Sequence, residues 1–168
     1  MADDWMVFPL NKTSSSRSLK ILDASCPASS LAEGPINLPA HPTILIVDDD
    51  IDILTALHDL IEHEGFRVTE VSTCLDALVQ ARTVSFVAVL LDIGLPDGDG
   101  LTVLETLQTT APFLPVIILT AFTSQAYRAR SLSSGAFSCL TKPYNRDELR
   151  AVLRRAVKVS QSPMLSDN

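Results

Sequence analysis

The sequence predicts an α/β fold built on a five-stranded parallel sheet, and three observations lead to it. From Thr43 onward short apolar runs alternate with helically periodic stretches, the texture of repeated βαβ units. Several of those runs are apolar on both faces, as buried parallel strands are. Polar residues follow four of the runs, with Asp48-Asp49-Asp50, Asp92, Thr120 and Thr141-Lys142 standing where an open parallel sheet gathers its functional groups.

The strands are expected at residues 43–47, 66–71, 86–91, 115–119 and 136–140. Ile53, Leu54, Leu57, Leu60 and Ile61 have helical spacing, and Gly65 after Glu64 supplies a stop to this first helix. The fourth helix, residues 124–134, shows only a thin apolar stripe of Ala126, Ala129 and Leu132 before Gly135, so it should pack loosely. The last helix starts at a capping-box-like Asn145 and Glu148 and buries Leu149, Val152, Leu153, Ala156 and Val157. Its outer face carries Arg150, Arg154, Arg155 and Lys158, a solvated face or a partner surface rather than a DNA site.

With 168 residues, 46% of them hydrophobic, one domain with a sizeable core is expected. Thirteen Lys and Arg against 20 Asp and Glu give a net charge of −7, which disfavours broad contact with nucleic acid or an anionic membrane. Three cysteines without a CxxC pair signal neither a disulfide framework nor zinc, and fit the reducing cytoplasm. The three histidines, His41, His58 and His63, have no evident partner and read as surface residues. Asp3 and Asp4 stand where a secretory signal carries Lys or Arg, and no apolar stretch approaches the roughly 20 residues of a membrane helix. Residues 1–42, with Ser14-Ser15-Ser16 and five prolines, read as a flexible extension containing one apolar cluster, Trp5-Met6-Val7-Phe8. The domain is expected at 43–159 and a polar tail at 160–168.

Carboxylates converging on one sheet edge repel each other and resist ionisation unless a cation neutralises them, so the acidic set implies a hard divalent ion. Its donors are all oxygens, which suits partly hydrated octahedral Mg²⁺ and argues against zinc. Lys142 adds a positive point charge to the same place. Carboxylate, hydroxyl, lysine and divalent cation together match phosphoryl transfer, which is mostly positioning and charge neutralisation; a carboxylate nucleophile becomes an aspartyl phosphate. The Gly-rich loop 94–100 lets backbone groups come close to such a site. Taken singly the residues have plainer readings: Asp48, Asp49, Asp50, Asp97 and Asp99 as turn or helix-start residues, Thr120 as a cap and Lys142 as a solvated lysine. Their joint arrangement favours the chemistry.

The segments Ile-Val-Asp-Asp-Asp at 46–50, Leu-Leu-Asp-Ile-Gly-Leu-Pro-Asp-Gly-Asp-Gly at 90–100, Ile-Leu-Thr-Ala at 118–121 and Thr141-Lys142-Pro143 resemble the receiver domains of response regulators in two-component phosphorelays. That resemblance, over residues 43–159, implies a doubly wound, flavodoxin-like (CheY-like) sheet of order 2-1-3-4-5. It implies that Asp92 accepts a phosphoryl group from a phosphohistidine on a sensor histidine kinase or histidine phosphotransfer protein. Asp48, Asp49, Asp92 and the Gly94 carbonyl would hold Mg²⁺, Lys142 would pair with the phosphoryl oxygens, Thr120 would hydrogen-bond them, and the Lys142–Pro143 bond would be cis.

It further implies a protein that is not an enzyme on other substrates and catalyses only its own phosphorylation and dephosphorylation. Signalling would pass to a downstream protein or a second copy through the face of the fourth helix, fifth strand and fifth helix, without direct nucleic-acid or membrane binding. One departure stands out: Cys139 replaces the Tyr or Phe that receivers usually place three residues before the lysine. Either Thr120 moves with no rotating ring to follow it, or Tyr127 or Phe122 covers the vacated space. The missing ring also raises the alternative of a binding module signalling independently of phosphate; a fragment of a longer regulator is another. A phosphohydrolase is disfavoured because Gly94 stands where such enzymes place a second Asp, and FMN binding because the acidic first loop repels phosphate.

Overall fold

The computed structural model describes residues 41–162. The expectations for a flexible extension, for the Trp5–Phe8 cluster and for most of the 160–168 tail lie outside the described residues. In chain order the elements are β1 (Thr43–Val47), α1 (Ile51–His63), β2 (Arg67–Val71), α2 (Cys74–Thr83), β3 (Phe86–Asp92), the two-residue strands β4 (Gly94–Leu95) and β5 (Gly98–Asp99), α3 (Gly100–Thr110), β6 (Val116–Thr120), α4 (Gln125–Ser133), β7 (Ser138–Thr141) and α5 (Arg146–Gln161). The main sheet is wholly parallel in the order β2-β1-β3-β6-β7, which is 2-1-3-4-5 once the small β4–β5 hairpin is set aside.

Alternation along the strands sorts the core into two layers. Ile44, Ile46, Ala88, Leu90, Ile117, Leu119 and Leu140 face α1 and α5. Leu45, Val47, Val89, Leu91, Val116, Ile118 and Cys139 face α2, α3 and α4. The central strands are therefore apolar on both sides, whereas the edge strand β2 is partly exposed along its length. Each helix opens on a side-chain cap, Asp50, Thr73, Asp99, Ser124 and Asn145 in turn, which satisfies amide donors that have no intrahelical partner. Gly65 follows α1 at φ +87°, a conformation that suits glycine.

The five-residue stripe expected of α5 is buried in full, and the helix runs two residues beyond the expected domain end at 159. The stripe expected of α4 is wrong. Ala126, Ala129 and Leu132 are exposed, and the helix turns Tyr127 and Ser131 to the sheet instead. A serine can face inward because its hydroxyl donates to the Tyr127 carbonyl one turn back (3.0 Å), leaving no bare donor. Hydropathy alone ranks Leu above Ser, so the sequence pattern picked the opposite face. On α5, Arg150 and Arg154 are not simply solvated, since both reach the Glu64 carboxylate at the end of α1, Arg154 Nη2 at 2.7 Å and Arg150 Nε at 3.3 Å.

His58 lies at the surface as expected, but it does not lack a partner. Its Nδ1 lies 2.7 Å from Glu70 of β2 and its Nε2 3.3 Å from Glu62. The Glu70 hydrogen bond, together with both carboxylate charges and against a smaller effect of burial, raises its pKa above the ordinary 6.5. A raised histidine stabilises the fold fully below the unfolded value and loses that contribution as the pH rises through the folded one. Comparing the wild type with His58→Gln, the difference in denaturant midpoint is expected to be largest below pH 6.5 and to fade towards pH 8. Its size is a few tenths of a kcal/mol, because the pair is exposed. Among the described residues no helix is long and apolar enough to cross a membrane.

Candidate functional site

Four strands release their chains at the same sheet edge. β1 ends at Val47 and delivers Asp48, which is buried at 1% exposure; β3 ends in Asp92 and β6 in the buried Thr120; β7 is followed by Lys142. The Lys142 ammonium donates to Asp48 Oδ2 and to Asp92 Oδ2, each at 2.6 Å. Carboxylate oxygens of Asp48, Asp49 and Asp92 lie within 4.8 Å of one another. The structure thus brings Asp48, Asp49, Asp92 and Lys142 together, with Thr120 adjoining.

The local backbone fixes each group. Asp48 is held by its amide, which donates to the Val71 carbonyl of β2 (3.1 Å), while its Oδ1 accepts from the Asp50 amide (3.1 Å). Asp92 Oδ1 accepts from the amides of Ile93 (2.6 Å) and Gly94 (3.1 Å), so its second oxygen is the one turned to Lys142. The Lys142 amide donates to the Thr120 carbonyl at 2.7 Å, and the Lys142–Pro143 peptide bond is cis. The Thr120 hydroxyl accepts from the Phe122 amide at 3.0 Å.

Burial pushes the Asp48 carboxyl above the usual carboxylate value, against the pull of Lys142 and the Asp50 amide. Burial works to lower the Lys142 ammonium, but its hydrogen bonds to Asp48 and Asp92 prevail and hold it above its ordinary value. The lysine therefore stays charged at neutral pH and partly offsets the carboxylate repulsion. The donor set fits a hard divalent cation, because three carboxylates converge and no imidazole or thiolate is among them.

Two residues read from sequence as turn formers do more than that. Asp97, at the tip of the β4–β5 hairpin, accepts from the amides of Cys74 (2.8 Å) and Leu75 (3.1 Å) at the start of α2. These bonds, the Cys74 one foremost, hold its carboxyl below the usual range. Asp99 caps α3 through the Leu101 amide (2.9 Å). The Cys74 thiol is pushed up to about 11 by burial and by Asp97, so it stays protonated and unreactive at physiological pH. Gly100, read from sequence only as the end of the Gly-rich loop, is where the backbone packs closest to the site. A Cβ there would stand 2.6 Å from the Asp92 carbonyl oxygen and 2.7 Å from Ile93 Cα, a proximity that only the fold, not the Asp-Gly spacing, makes visible.

Residues 44–154 match the response regulator receiver domain. The chain belongs to the response regulator receiver family. Among curated relatives of this receiver, the transcriptional regulatory protein ZraR of Klebsiella oxytoca is 38% identical over 124 residues, which cover 72% of this chain and 28% of that protein. The KDP operon transcriptional regulatory protein KdpE of Escherichia coli is 36% identical over 115 residues, 68% of this chain and 51% of that one. The receiver thus spans between about a quarter and a half of the length of these relatives. Among solved structures, the receiver domain of Francisella response regulator 1452 superposes with a TM-score of 0.68 at 30% identity, over 72% of this chain and all of that one.

Proposed function

We propose that this receiver is a phosphorylatable switch in which Asp92 accepts a phosphoryl group from a phosphohistidine. The observation that carries the reading is the Lys142 ammonium bonded to both Asp48 and Asp92 at 2.6 Å on a cluster of three carboxylates. Asp92 Oδ2 is the attacking atom, since Oδ1 is held by two backbone amides. Attack forms the Oδ2–P bond and breaks the bond from phosphorus to the donor's imidazole nitrogen, which takes the leaving electron pair. Lys142 is displaced from Asp92 and pairs with a phosphoryl oxygen, while the Thr120 hydroxyl, one strand away, donates to another.

Asp48, Asp49, Asp92 and the Gly94 carbonyl are the proposed Mg²⁺ ligands. The ion supplies neutralisation of the charge that develops on the phosphoryl oxygens. The donor is a sensor histidine kinase or histidine phosphotransfer protein, and the output passes through the α4–β7–α5 face to a protein partner or a second copy in the cytoplasm, without turnover of any separate substrate. Relatives such as ZraR and KdpE are named as transcriptional regulators and are longer than this chain, which supports an output domain supplied beyond this receiver.

Incubation with a small acyl phosphate and Mg²⁺ is expected to add the mass of one phosphoryl group, and Asp92→Asn is expected to abolish the gain. No gain, or a gain undiminished in Asp92→Asn, overturns the reading. The phosphate-independent alternative draws its support from Cys139, buried in β7 without an aromatic ring. Partner binding unchanged by phosphorylation would favour it.

A further inference from the structure

Cys139 leaves β7 without the ring through which a receiver is ordinarily read, yet the adjoining space is occupied by another. Tyr127 of α4 is half-buried and packs on the cluster that contains Cys139, Leu91, Ile93 and Ile118. Its neighbours Ala126 and Arg128 are exposed, so the inward turn of this residue is specific. The Tyr127 ring stacks on Phe122, with centroids 5.1 Å apart and planes inclined by 25°, an arrangement in the favoured range for aromatic pairs. Phe122 in turn donates its amide to Thr120 Oγ1. Burial first, and the neighbouring Asp99 carboxylate second, raise the pKa of the Tyr127 hydroxyl. The aromatic group sits on the helix here, and the strand carries the small side chain.

Resting on the phosphoacceptor reading above, we propose that Tyr127 is the readout residue of this receiver, coupled to Asp92 through Thr120 and the Phe122 ring. A hydroxyl has one hydrogen to donate and lone pairs to accept. Thr120 can therefore donate to a phosphoryl oxygen while still accepting from the Phe122 amide. Drawn towards Asp92, it carries that amide with it, and the ring stacked on Tyr127 must follow or unstack. Either outcome displaces Tyr127 and with it α4, whose remaining inward anchor is Ser131. The helix has little apolar burial to resist the move, since its other non-polar side chains, Ala126, Ala129 and Leu132, face outward. A shift of α4 changes the surface offered to a partner, and any partner that binds one arrangement better biases the equilibrium by that difference in affinity.

The chain has two tyrosines, Tyr127 and Tyr144, so uniform labelling with 3-fluorotyrosine gives two ¹⁹F signals, assigned with Tyr144→Phe. Addition of Mg²⁺ and beryllofluoride, a phosphoryl mimic, is expected to move the Tyr127 signal to a new position at the same titration point at which the Lys142 amide shifts. In Phe122→Leu, which keeps the amide and removes the ring, the Lys142 amide is expected to shift as before while the Tyr127 displacement is largely lost. A Tyr127 signal that stays in place while the Lys142 amide shifts overturns the coupling and leaves the phosphoacceptor reading intact. A full Tyr127 displacement in Phe122→Leu also overturns it, because the ring would then not be the link. If neither signal responds in the wild type, the phosphoacceptor reading falls and the coupling with it.

Discussion

Lys142→Ala is expected to lose both phosphoryl uptake and stability, and the stability loss is expected to depend on pH. Lys142 is the cation bonded to two carboxylates, one of them buried at 1% exposure. Removing one member of a buried ion pair leaves the other uncompensated, at a cost of about 3–5 kcal/mol. Asp48 can escape part of that by taking a proton, so about 3 kcal/mol is expected at neutral pH. Burial already raises the Asp48 pKa, and loss of Lys142, which pulls it down, raises it further. A carboxyl raised in the folded state favours folding when protonated; that contribution is complete below its unfolded value of 3.8 and is lost as the pH rises through the folded one. The gap between Lys142→Ala and the wild type is therefore expected to narrow as the pH falls from 7 towards 4. Urea midpoints across that range measure it, and a gap that widens on acidification would contradict the assignment. The initial rate of phosphoryl uptake is expected to drop about 10²-fold or more, the usual consequence of deleting a charge aimed at the transferring group.

Gly100→Ala is expected to damage the site without touching any of its polar side chains. The new methyl would press on the Asp92 carbonyl oxygen at 2.6 Å and Ile93 Cα at 2.7 Å. Both neighbours are backbone, so no side chain can swing aside, and the Gly100 amide bond to the Ile93 carbonyl (3.1 Å) must lengthen. Overpacking of this kind costs about 1–3 kcal/mol. The same shift moves Ile93 and Gly94, whose amides orient Asp92 Oδ1. Phosphoryl uptake should therefore fall well beyond what the lost stability explains, measured at a temperature where the variant is fully folded. Alanine at Gly65, where no atom lies within 4 Å but φ is +87°, serves as the control: strained backbone and lower stability, with uptake unchanged in the folded protein.

The sheet and the site were legible because both are written in local pattern. Apolar runs such as Ile44-Leu45-Ile46-Val47 declare buried strands, and the residues that follow a strand are bound to emerge at its carboxyl edge. Asp48, Asp92, Thr120 and Lys142 needed no knowledge of packing to be brought together. What escaped depends on contacts between distant segments. Nothing in the spacing of Asp97 and Cys74 announces a hydrogen bond across 23 residues, and nothing near Gly100 reveals the backbone pressed against it. The α4 error has a different origin. The helix turns a tyrosine and a serine towards the sheet, and a helix read in isolation cannot register which surface it will meet. His58 was misjudged for the same reason, since Glu70 belongs to the next strand.

The Glu64 carboxylate, only 11% exposed and shared between Arg150 and Arg154, divides the molecule into unequal halves. It fastens the end of α1 to the flank of α5, on the face of the sheet opposite α4, and that face is further cemented by the five-residue stripe of α5. The α1–α5 side is thus tied by ion pairs and a continuous apolar seam, whereas α4 turns only Tyr127 and Ser131 inward, so local opening is expected to cost far less free energy on the α4 side than on the other.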